Sequence, residues 1–468
     1  MDQFNQTIEY LNDLESNLND FFLLVNAIII FLMQCGFAFL EAGSVRAKNT
    51  TNILMKNLLD VFLGAVAYWA FGYAFAFGDQ SNSFIGFSNF FFINLPDTSL
   101  SFFFFHFVFA ATAATIVSGA MAERTSFLGY MIYSVCITGF VYPVVSHWAW
   151  SGTGWLGAGP GNPNVGYQDF AGSSVVHMVG GTAALIGASV LGPRTGRFTN
   201  GSDFRGHTVP LVALGGFILF FGFFSFNGGS QASISSPGDG VVVANAITNT
   251  IICGAAAALV SLVLGKLVYG KMKWSLLVTI NGGLTGMVAI CAGCNSLYAW
   301  GAFATGIIAG AIFIGVSMLV EKAQIDDPLD AVAVHLGGGL WGILTVPLLA
   351  RDSGVFFTGS SDAFVAWGWN VLGAAVIILW TGLLSFILFG TMYMLKILRV
   401  DAETEMLGLD ISEHGEAAYP IMAYLNNDHS NGTGNGHPLA SIPVHLTAVP
   451  NPAYETEAVN DKDNKEIV

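Results

Sequence analysis

Charged residues are scarce in this 468-residue sequence. Asp, Glu, Lys and Arg together make up 10% of it, whereas a soluble domain usually carries about 25%. Hydrophobic residues make up 53%, and the mean hydropathy is +0.62. We therefore expect that most of the protein surface does not face water.

Features that would indicate other protein classes are also absent. The first twenty residues contain no Lys or Arg, so the positive region of a cleavable signal peptide is lacking, and we expect the first apolar run to stay in the membrane. No nucleotide-binding loop and no nucleophile–base set of an enzyme is found. The net charge of −15 argues against nucleic acid as a partner. Cys291 and Cys294 lack the second pair of a zinc site, so we expect no metal and no cofactor.

Eleven apolar stretches remain, each long enough to form a membrane helix, which needs about 20 residues. They predict an all-α, polytopic membrane protein. The predicted spans are residues 21–43, 54–77, 102–121, 127–148, 171–191, 209–228, 241–264, 275–293, 297–320, 332–350 and 366–396.

The basic residues predict the orientation of these spans, because short cytoplasmic loops are enriched in Lys and Arg. Of the sixteen Lys and Arg residues, all except Arg351 lie in or beside the loops that follow odd-numbered spans, or after the last span. This distribution places the N-terminus outside and the C-terminus in the cytoplasm, and it requires an odd number of spans.

Two sequence matches, each five spans apart, indicate an internal repeat. Gly36–Ser44 in span 1 resembles Gly222–Ser230 in span 6, and Val176–Gly181 in span 5 resembles Val334–Gly339 in span 10. An odd offset inverts the second copy, so we predict inverted five-helix repeats followed by a final helix. In transporters built this way the substrate path lies at the repeat interface.

Composition divides the chain into four segments. We expect an extracellular N-terminal segment at residues 1–20 and a membrane domain at 21–397. Residues 398–420 are short and mixed in character, and could dock on the cytoplasmic face. Residues 421–468 are predicted to be a disordered acidic tail.

Two histidines are the foremost functional candidates, because polar side chains inside membrane spans are costly. His177 and His335 occupy equivalent places in the repeat, and glycines follow each of them. Burial disfavours the imidazolium, so we predict two neutral rings, each with one donor and one acceptor. Adjacent rings of this kind can bond to each other and pass a small polar solute along. The alternative is that both histidines are purely structural. Their matched positions in the repeat make us favour the functional role.

Two aspartates, Asp169 and Asp330, lie just before these two spans. Each could support a cation electrostatically. An Asp at the start of a helix is also a common N-cap, and we favour that structural role for both.

Aromatic residues gather toward the predicted outer side. Trp150 follows span 4, Phe109 lies in span 3, and Phe226 lies near the outer end of span 6 beside Ser230. Aromatic faces attract a cation within about 6 Å of the ring, and a hydroxyl adds an acceptor. An interfacial aromatic belt is the alternative, and spacing alone does not separate Trp150 from it.

Seven segments, spread in order over residues 20–420, carry a family resemblance. They are Glu41–Asn49, Ile116–Arg124, Asp169–Gly181, Phe226–Ser230, Asn281–Gly293, Asp326–His335 and Gly408–Gly415. Through them the chain resembles the ammonium transporter (Amt/Mep) family, especially its eukaryotic branch. The resemblance implies ammonium as substrate and a plasma-membrane homotrimer with a pore through each subunit.

The same resemblance implies roles for individual residues. The implied outer ammonium site consists of Trp150, Phe109 and Ser230, with support from Asp169. The implied phenyl gate pairs Phe109 with Phe226, and the implied pore is lined by His177 and His335, with Asp330 in a supporting position. The segment after residue 398 resembles the family's regulatory C-terminus, which touches a neighbouring subunit, and Ser412 falls where plant relatives carry a phosphorylated threonine.

Two positions depart from the family pattern. Phe223 stands where many bacterial members have Trp, and His106 stands where a Gln is usual. We hypothesise that His106 alters the pH response or the affinity at the pore mouth.

The expected mechanism answers a problem of selectivity. Ammonium and potassium are similar in size and charge, and a dehydrated cation in an apolar pore costs several kcal/mol. Only ammonium can lose its charge by releasing a proton. We therefore expect the outer site to select the cation, and ammonia to cross along the histidines. The proton either travels separately over the histidines or returns outside. Alternative functions are an Rh-type gas channel, against which Trp150 and the C-terminal segment argue, and an ammonium sensor.

Overall fold

All the regular secondary structure of the described residues is helical. The structure is a computed structural model that describes residues 2–162, 165–199, 204–268 and 273–420. Within these ranges it contains helices and isolated β-bridges but no strand. The fold is therefore all-α, as predicted. The tail at 421–468, predicted to be disordered, lies outside the described residues.

The helices follow each other along the chain with few long connections. The α-helices are α1 (Asp2–Ser44), α2 (Thr50–Ala67), α3 (Tyr73–Phe77), α4 (Leu100–Met121), α5 (Phe127–Cys136), α6 (Tyr142–Trp150), α7 (Val179–Leu191), α8 (Val209–Gly229), α9 (Asp239–Val268), α10 (Leu276–Ile290), α11 (Ala299–Lys322), α12 (Gly338–Leu349), α13 (Val355–Thr358), α14 (Ser361–Met394), α15 (Ala402–Leu407) and α16 (Leu409–His414). Four π-helical stretches are π1 (Tyr68–Gly72), π2 (Ile137–Val141), π3 (Ser173–Met178) and π4 (Val332–Gly337). Short 3₁₀ turns are Ala47–Asn49, Phe90–Phe92 and Asp97–Ser99.

Ten helical units in the described ranges are long and apolar enough to cross a membrane, and each corresponds to a predicted span. The remaining predicted span, 275–293, corresponds to α10, which has 15 residues and is shorter than the usual minimum of about 17. The first helix extends further than predicted, because α1 already begins at Asp2 rather than near residue 21. Its early residues include good helix formers and no Gly or Pro, so nothing local ends the helix.

The two members of each predicted repeat match lie in contact. α1 packs lengthwise against α8, which pairs span 1 with span 6. The unit formed by π3 and α7 packs against the unit formed by π4 and α12, which pairs span 5 with span 10. Both of the latter spans begin with a π-helix, so the resemblance in sequence extends to the local backbone.

The loops form two groups at opposite ends of the helices. In one group, Trp155 N donates to Ser83 O at 3.0 Å, and Arg351 N donates to Ser296 O at 2.8 Å. These bonds join the loops that follow spans 2, 4, 8 and 10. The loops that follow spans 1, 3, 5 and 9 meet at the other end, around a set of charged side chains of which Glu123, Arg194 and Asp326 are buried.

These charges form what we call the loop charge cluster: Arg46, Glu123, Arg194, Arg197 and Asp326. The Arg194 guanidinium lies 3.1 Å from the Glu123 carboxylate and 2.8 Å from that of Asp326, while Arg46 lies 2.5 Å from Glu123. Burial opposes ionisation of Glu123 and Asp326, but the guanidiniums outweigh it and hold the pKa of both carboxyls below its ordinary value. The cluster ties four loops together by ion pairing.

Residues 398–420 dock on the same end of the protein. The Asp410 carboxylate accepts hydrogen bonds from Thr50 N at 3.1 Å and Asn52 N at 2.9 Å, at the start of α2. Glu405 accepts from Thr195 N at 2.6 Å and from Arg399 at 2.8 Å. The C-terminal segment therefore contacts the loops after spans 1 and 5 of the same chain.

Replacing Asp326 with Asn should destabilise the protein. Arg194 would keep its buried charge but lose one of its two carboxylate partners, and breaking a buried ion pair costs about 3–5 kcal/mol. We expect the apparent melting temperature of the purified protein in detergent to fall by several degrees. The control is Glu321→Gln, which removes an exposed carboxylate 3.6 Å from Arg197, because exposed pairs contribute about 0–1 kcal/mol. Equal melting temperatures for the two variants would show that the buried Arg194–Asp326 ion pair does not stabilise the protein.

Candidate functional site

The two candidate histidines meet in the interior of the protein. Their Nδ1 atoms are 3.1 Å apart, and the rings lie nearly parallel with centroids 5.2 Å apart. His177 is fully buried and His335 is 6% exposed. A hydrogen bond between two Nδ1 atoms needs a proton on one and a lone pair on the other, so at least one ring is neutral. The structure thus brings together the residues that the repeat paired.

Two unusual backbone features allow this contact. Each histidine lies in a π-helix, His177 in π3 and His335 in π4, and π-helices are rare and frequent at functional sites. A Cβ added to Gly181 would lie 2.3 Å from Leu336 N, and one added to Gly339 would lie 2.3 Å from Ser173 O. Only glycine permits these approaches, so the glycines that follow the histidines let the two spans cross closely.

The carboxylate of Asp169 caps π3. One oxygen accepts from the backbone N–H groups of Gly172 and Ser173, and the other accepts from Ser174 N, Ser174 Oγ and Val175 N, at distances of 2.6–3.0 Å. Burial raises the pKa of the Asp169 carboxyl, and the hydrogen bonds from Ser174 and the backbone oppose that rise. The favoured structural role of Asp169 is therefore the one that the geometry shows.

For Asp330 the predicted cap is wrong. Its carboxylate accepts from Ser317 Oγ at 2.7 Å and faces Asn281 Nδ2 at 3.4 Å. The cap is instead Asp327, whose Oδ2 accepts from Val332 N at 2.8 Å. Burial and the neighbouring Asp330 raise the pKa of Asp327 to about 7. Both aspartates precede the span within a few residues, so sequence spacing alone does not separate them.

A line of aromatic rings leads to the histidines from one side. The rings of Phe109 and Phe226 are stacked with centroids 4.3 Å apart, and Phe226 lies 5.4 Å from His177. Trp150 meets Phe109 edge-on at 5.9 Å and donates from Nε1 to Asp169 O at 2.8 Å. Trp150 thus packs within the protein against the candidate gate, which distinguishes it from an interfacial belt residue.

A hydroxyl lies one helical turn beyond this gate. Ser230 Oγ donates to Phe226 O at 2.7 Å, at the end of α8. Because the donor is used, the remaining lone pairs of the hydroxyl are available as acceptors.

The two positions that depart from the family pattern both adjoin this line. Phe223 stacks on His177 with centroids 5.6 Å apart. His106 lies 5.9 Å from Trp150, and its ring is close to those of Phe77 and Phe102, at 4.3 Å and 4.2 Å. His106 is 7% exposed, and its Nδ1 has no hydrogen-bond partner among the described residues. An unpaired buried polar atom costs about 1–3 kcal/mol, so this nitrogen is available to bond a solute at the ring.

On the opposite side of the histidine pair from the aromatic rings, a pocket adjoins His335. Its lining is mainly apolar, with Glu41 and Asn281 as further polar members. The lining residues are Phe37, Leu40, Glu41, Ile116, Gly119, Asn281, Leu284, Leu329, Ala331, Val334 and His335. Sequence reasoning missed Glu41 as a site residue, although its position inside an apolar span was a sufficient signal.

The candidate regulatory residue lies within the docked C-terminal segment. Ser412 belongs to α16, and its Oγ donates to Gly408 O at 2.8 Å. Two residues before it, Asp410 bonds to the start of α2. A change at Ser412 therefore acts next to a contact between the segment and the membrane domain.

The family model described as "Ammonium Transporter Family" matches residues 21–419. The chain belongs to the ammonium transporter family. The match covers every residue of the site described above.

Similar proteins agree with this assignment. "Putative ammonium transporter 1" of Caenorhabditis elegans is 47% identical, over 88% of this chain and 81% of its own length. "Ammonium transporter 1 member 3" of Solanum lycopersicum is 41% identical, over 86% of this chain and 93% of its own. A solved structure titled "Sensor Amt Protein" has a TM-score of 0.79 and 35% identity, covering 86% of this chain and all of that chain. Both curated relatives carry the name of ammonium transporters.

Replacing Asp169 with Asn should impair this transporter. The amide nitrogen of Asn cannot accept the bonds that one carboxylate oxygen now receives from Ser174 and Val175, so π3 and His177 would shift. We expect uptake of labelled methylammonium by a yeast lacking its own transporters to fall by about tenfold or more. Asp362→Asn is the control, because Asp362 pairs with Asn162 at the start of α14. Wild-type uptake by Asp169→Asn would show that the cap is dispensable.

Proposed function

We propose that this protein recruits ammonium at an outer aromatic site, removes a proton and conducts ammonia through a pore lined by two histidines. The observation that carries the proposal is the unbroken series of ring contacts from Trp150 through Phe109 and Phe226 to His177 and His335. Aromatic ring faces line the first part of the series, and the imidazole nitrogens at its end can form hydrogen bonds with a nitrogen solute.

Recognition of the cation falls to Trp150, Phe109 and Ser230. Ring faces stabilise a cation that has lost part of its water shell, by about 2 kcal/mol or more when desolvated. The free lone pairs of Ser230 can accept from an ammonium N–H. Asp169 supports this site indirectly, because its backbone carbonyl holds the Trp150 indole and its carboxylate fixes π3.

The stacked pair of Phe109 and Phe226 serves as the gate. Rings with centroids 4.3 Å apart leave no space for a solute between them. Passage therefore requires a ring to rotate, and a hydrated cation needs a larger opening than ammonia does. Deprotonation has to occur before or at this gate, because an uncompensated charge among apolar rings is costly.

Beyond the gate, His177 and His335 offer a continuous pair of hydrogen-bonding rings in an otherwise apolar path. A neutral ammonia molecule can donate to or accept from either ring as it passes. Asp330 supports the far end of this region through Asn281, a residue that also lines the pocket at His335. The proton either moves separately across the histidines or returns to the outer side.

The proposal includes the membrane arrangement. We propose eleven crossings, with the N-terminus outside and the C-terminus in the cytoplasm, which agrees with the basic loops and with the two groups of loops at opposite ends. The plasma-membrane homotrimer is proposed from the family resemblance alone. The extracellular segment would then be 1–20, the membrane domain 21–397 and the regulatory segment 398–420. Phosphorylation of Ser412 would place about two negative charges beside Asp410 and weaken docking of α16.

Substitution of both His177 and His335 by Ala should remove the polar path and abolish ammonium uptake. We expect the double variant to fail to support growth of transport-deficient yeast on low ammonium, while reaching the plasma membrane normally. The matched control is His147→Ala, outside the ring series, measured for surface expression and uptake per molecule. Purified protein in liposomes separates the two proton routes, because a flux without current excludes the electrogenic one. Growth equal to wild type for the double variant would refute the pore.

Replacing His106 with Gln should change the response of uptake to external pH. An imidazole can take up a proton as the external pH falls, whereas the amide keeps one state. We expect a flatter pH profile and a changed apparent affinity for ammonium. His207→Gln makes the same chemical change at the opposite end, where His207 bonds to Val45 O, and should leave the profile unaltered. An unchanged pH profile for His106→Gln would show that His106 does not influence uptake at the pore mouth.

A further inference from the structure

A buried carboxyl group lies beyond the histidine pair, on the side away from the aromatic rings. Glu41 belongs to α1, is 1% exposed, and lines the same pocket as His335. One helical turn before it, the Phe37 ring faces the His335 ring at 6.3 Å. The pocket therefore connects the second histidine with the carboxyl group.

The two oxygens of this carboxyl group have different surroundings. Ser118 Oγ donates to Oε2 at 2.6 Å, and Asn57 Nδ2 donates to the same oxygen at 2.7 Å. No hydrogen bond reaches Oε1 from the described residues. Oε1 lies near Gly119, another residue of the pocket wall, since a Cβ added there would be 3.6 Å away. One oxygen is thus fixed by the protein, and the other is available to a molecule in the pocket.

Hydrogen bonding alone does not explain an acid at this position. A Gln would accept the same bonds from Ser118 and Asn57 without the free-energy cost of burying an ionisable group. The charged or titratable groups around Glu41 are Lys56 and Asp60 on α2, Tyr130 and Tyr133 on α5, and His335 in π4. Lys56 is bound to Thr125 O and lies outside the pocket wall, so it does not cap Oε1.

We propose that Glu41 is the inner proton-exchange residue of the pore. This inference rests on the proposed function and commits to its electrogenic version. The proton released by ammonium at the outer site crosses the histidines and passes from His335 to Oε1 of Glu41. The protonated carboxyl then transfers that proton to the ammonia that has crossed separately, forming an N–H bond and breaking the O–H bond. The products are ammonium and the Glu41 carboxylate, which the next proton neutralises.

The chemistry of the pocket favours this transfer. Ammonia is a stronger base than a carboxylate, so the proton moves downhill from the carboxyl to ammonia. The new cation forms next to a carboxylate, which offsets the loss of water around it. Glu41 then acts as a general acid that is recharged once per cycle, and both protons and nitrogen enter the cytoplasm as ammonium.

The test compares wild type, Glu41→Gln and Asp60→Asn in liposomes after a jump in external ammonium. Current and internal pH are recorded together. Wild type should give a current with little internal alkalinisation, because ammonia and its proton enter together. Glu41→Gln should keep ammonia flux within about twofold, and lose current by at least about tenfold. The resulting uptake of ammonia alone should alkalinise the interior. Asp60→Asn, a buried acid on α2 that bonds to Tyr130 and does not line the pocket, should retain current.

The outcomes separate this inference from the proposed function. Equal currents for Glu41→Gln and wild type would overturn the inference, as would equal losses for Glu41→Gln and Asp60→Asn. Loss of both flux and current in Glu41→Gln would also overturn it by showing a structural role. Wild-type flux without current would overturn it and leave the ammonia pore intact, whereas no wild-type transport would remove the proposed function itself. A current in Glu41→Asp that exceeds that of Glu41→Gln would support proton exchange by a carboxyl group at this position.

Discussion

The hydrogen bond between His177 and His335 is the contact on which the rest of the structure depends. It forms where two spans cross, and the crossing requires Gly181 and Gly339 to bring backbone within reach of backbone. The carboxylate of Asp169 fixes the start of one crossing span, and that of Asp327 fixes the other. Helix ends, glycines and rings therefore act together, and the position of each histidine follows from backbone geometry rather than from its own side-chain freedom.

The two sides of this pair differ in chemistry. On one side stand rings with few hydrogen-bonding atoms, namely Trp150, Phe109 and Phe226. On the other lies a pocket whose wall includes the carboxyl of Glu41. Such an arrangement suits a solute that arrives charged, travels neutral and leaves charged. Aromatic faces stabilise a cation whatever the protonation state of the protein, whereas a carboxyl group does so more strongly when it is ionised. The affinity for a cation can therefore differ between the two sides of the histidine pair.

Sequence reasoning located the spans and the central pair because both depend on strong, simple effects. Long apolar runs have one stable form in a bilayer, and the matched positions of His177 and His335 reveal a repeat. Finer features depend on packing that spacing does not encode. The π-helices give no periodic signal of their own, Asp327 and Asp330 are alike in sequence, and Glu41 acquires its meaning only when α1 and π4 enclose a pocket. The early start of α1 reflects an absence of stop signals rather than an apolar pattern.

Each close ring contact at the gate and at the histidine pair joins one repeat to the other. Phe109 and His177 belong to the first five predicted spans, whereas Phe226 and His335 belong to the next five. Neither half contains a complete path, and each alone would leave polar backbone and imidazole atoms facing lipid. The gate and the histidine pair therefore exist only where the two halves pack against each other, and any movement of one half relative to the other would change both contacts together.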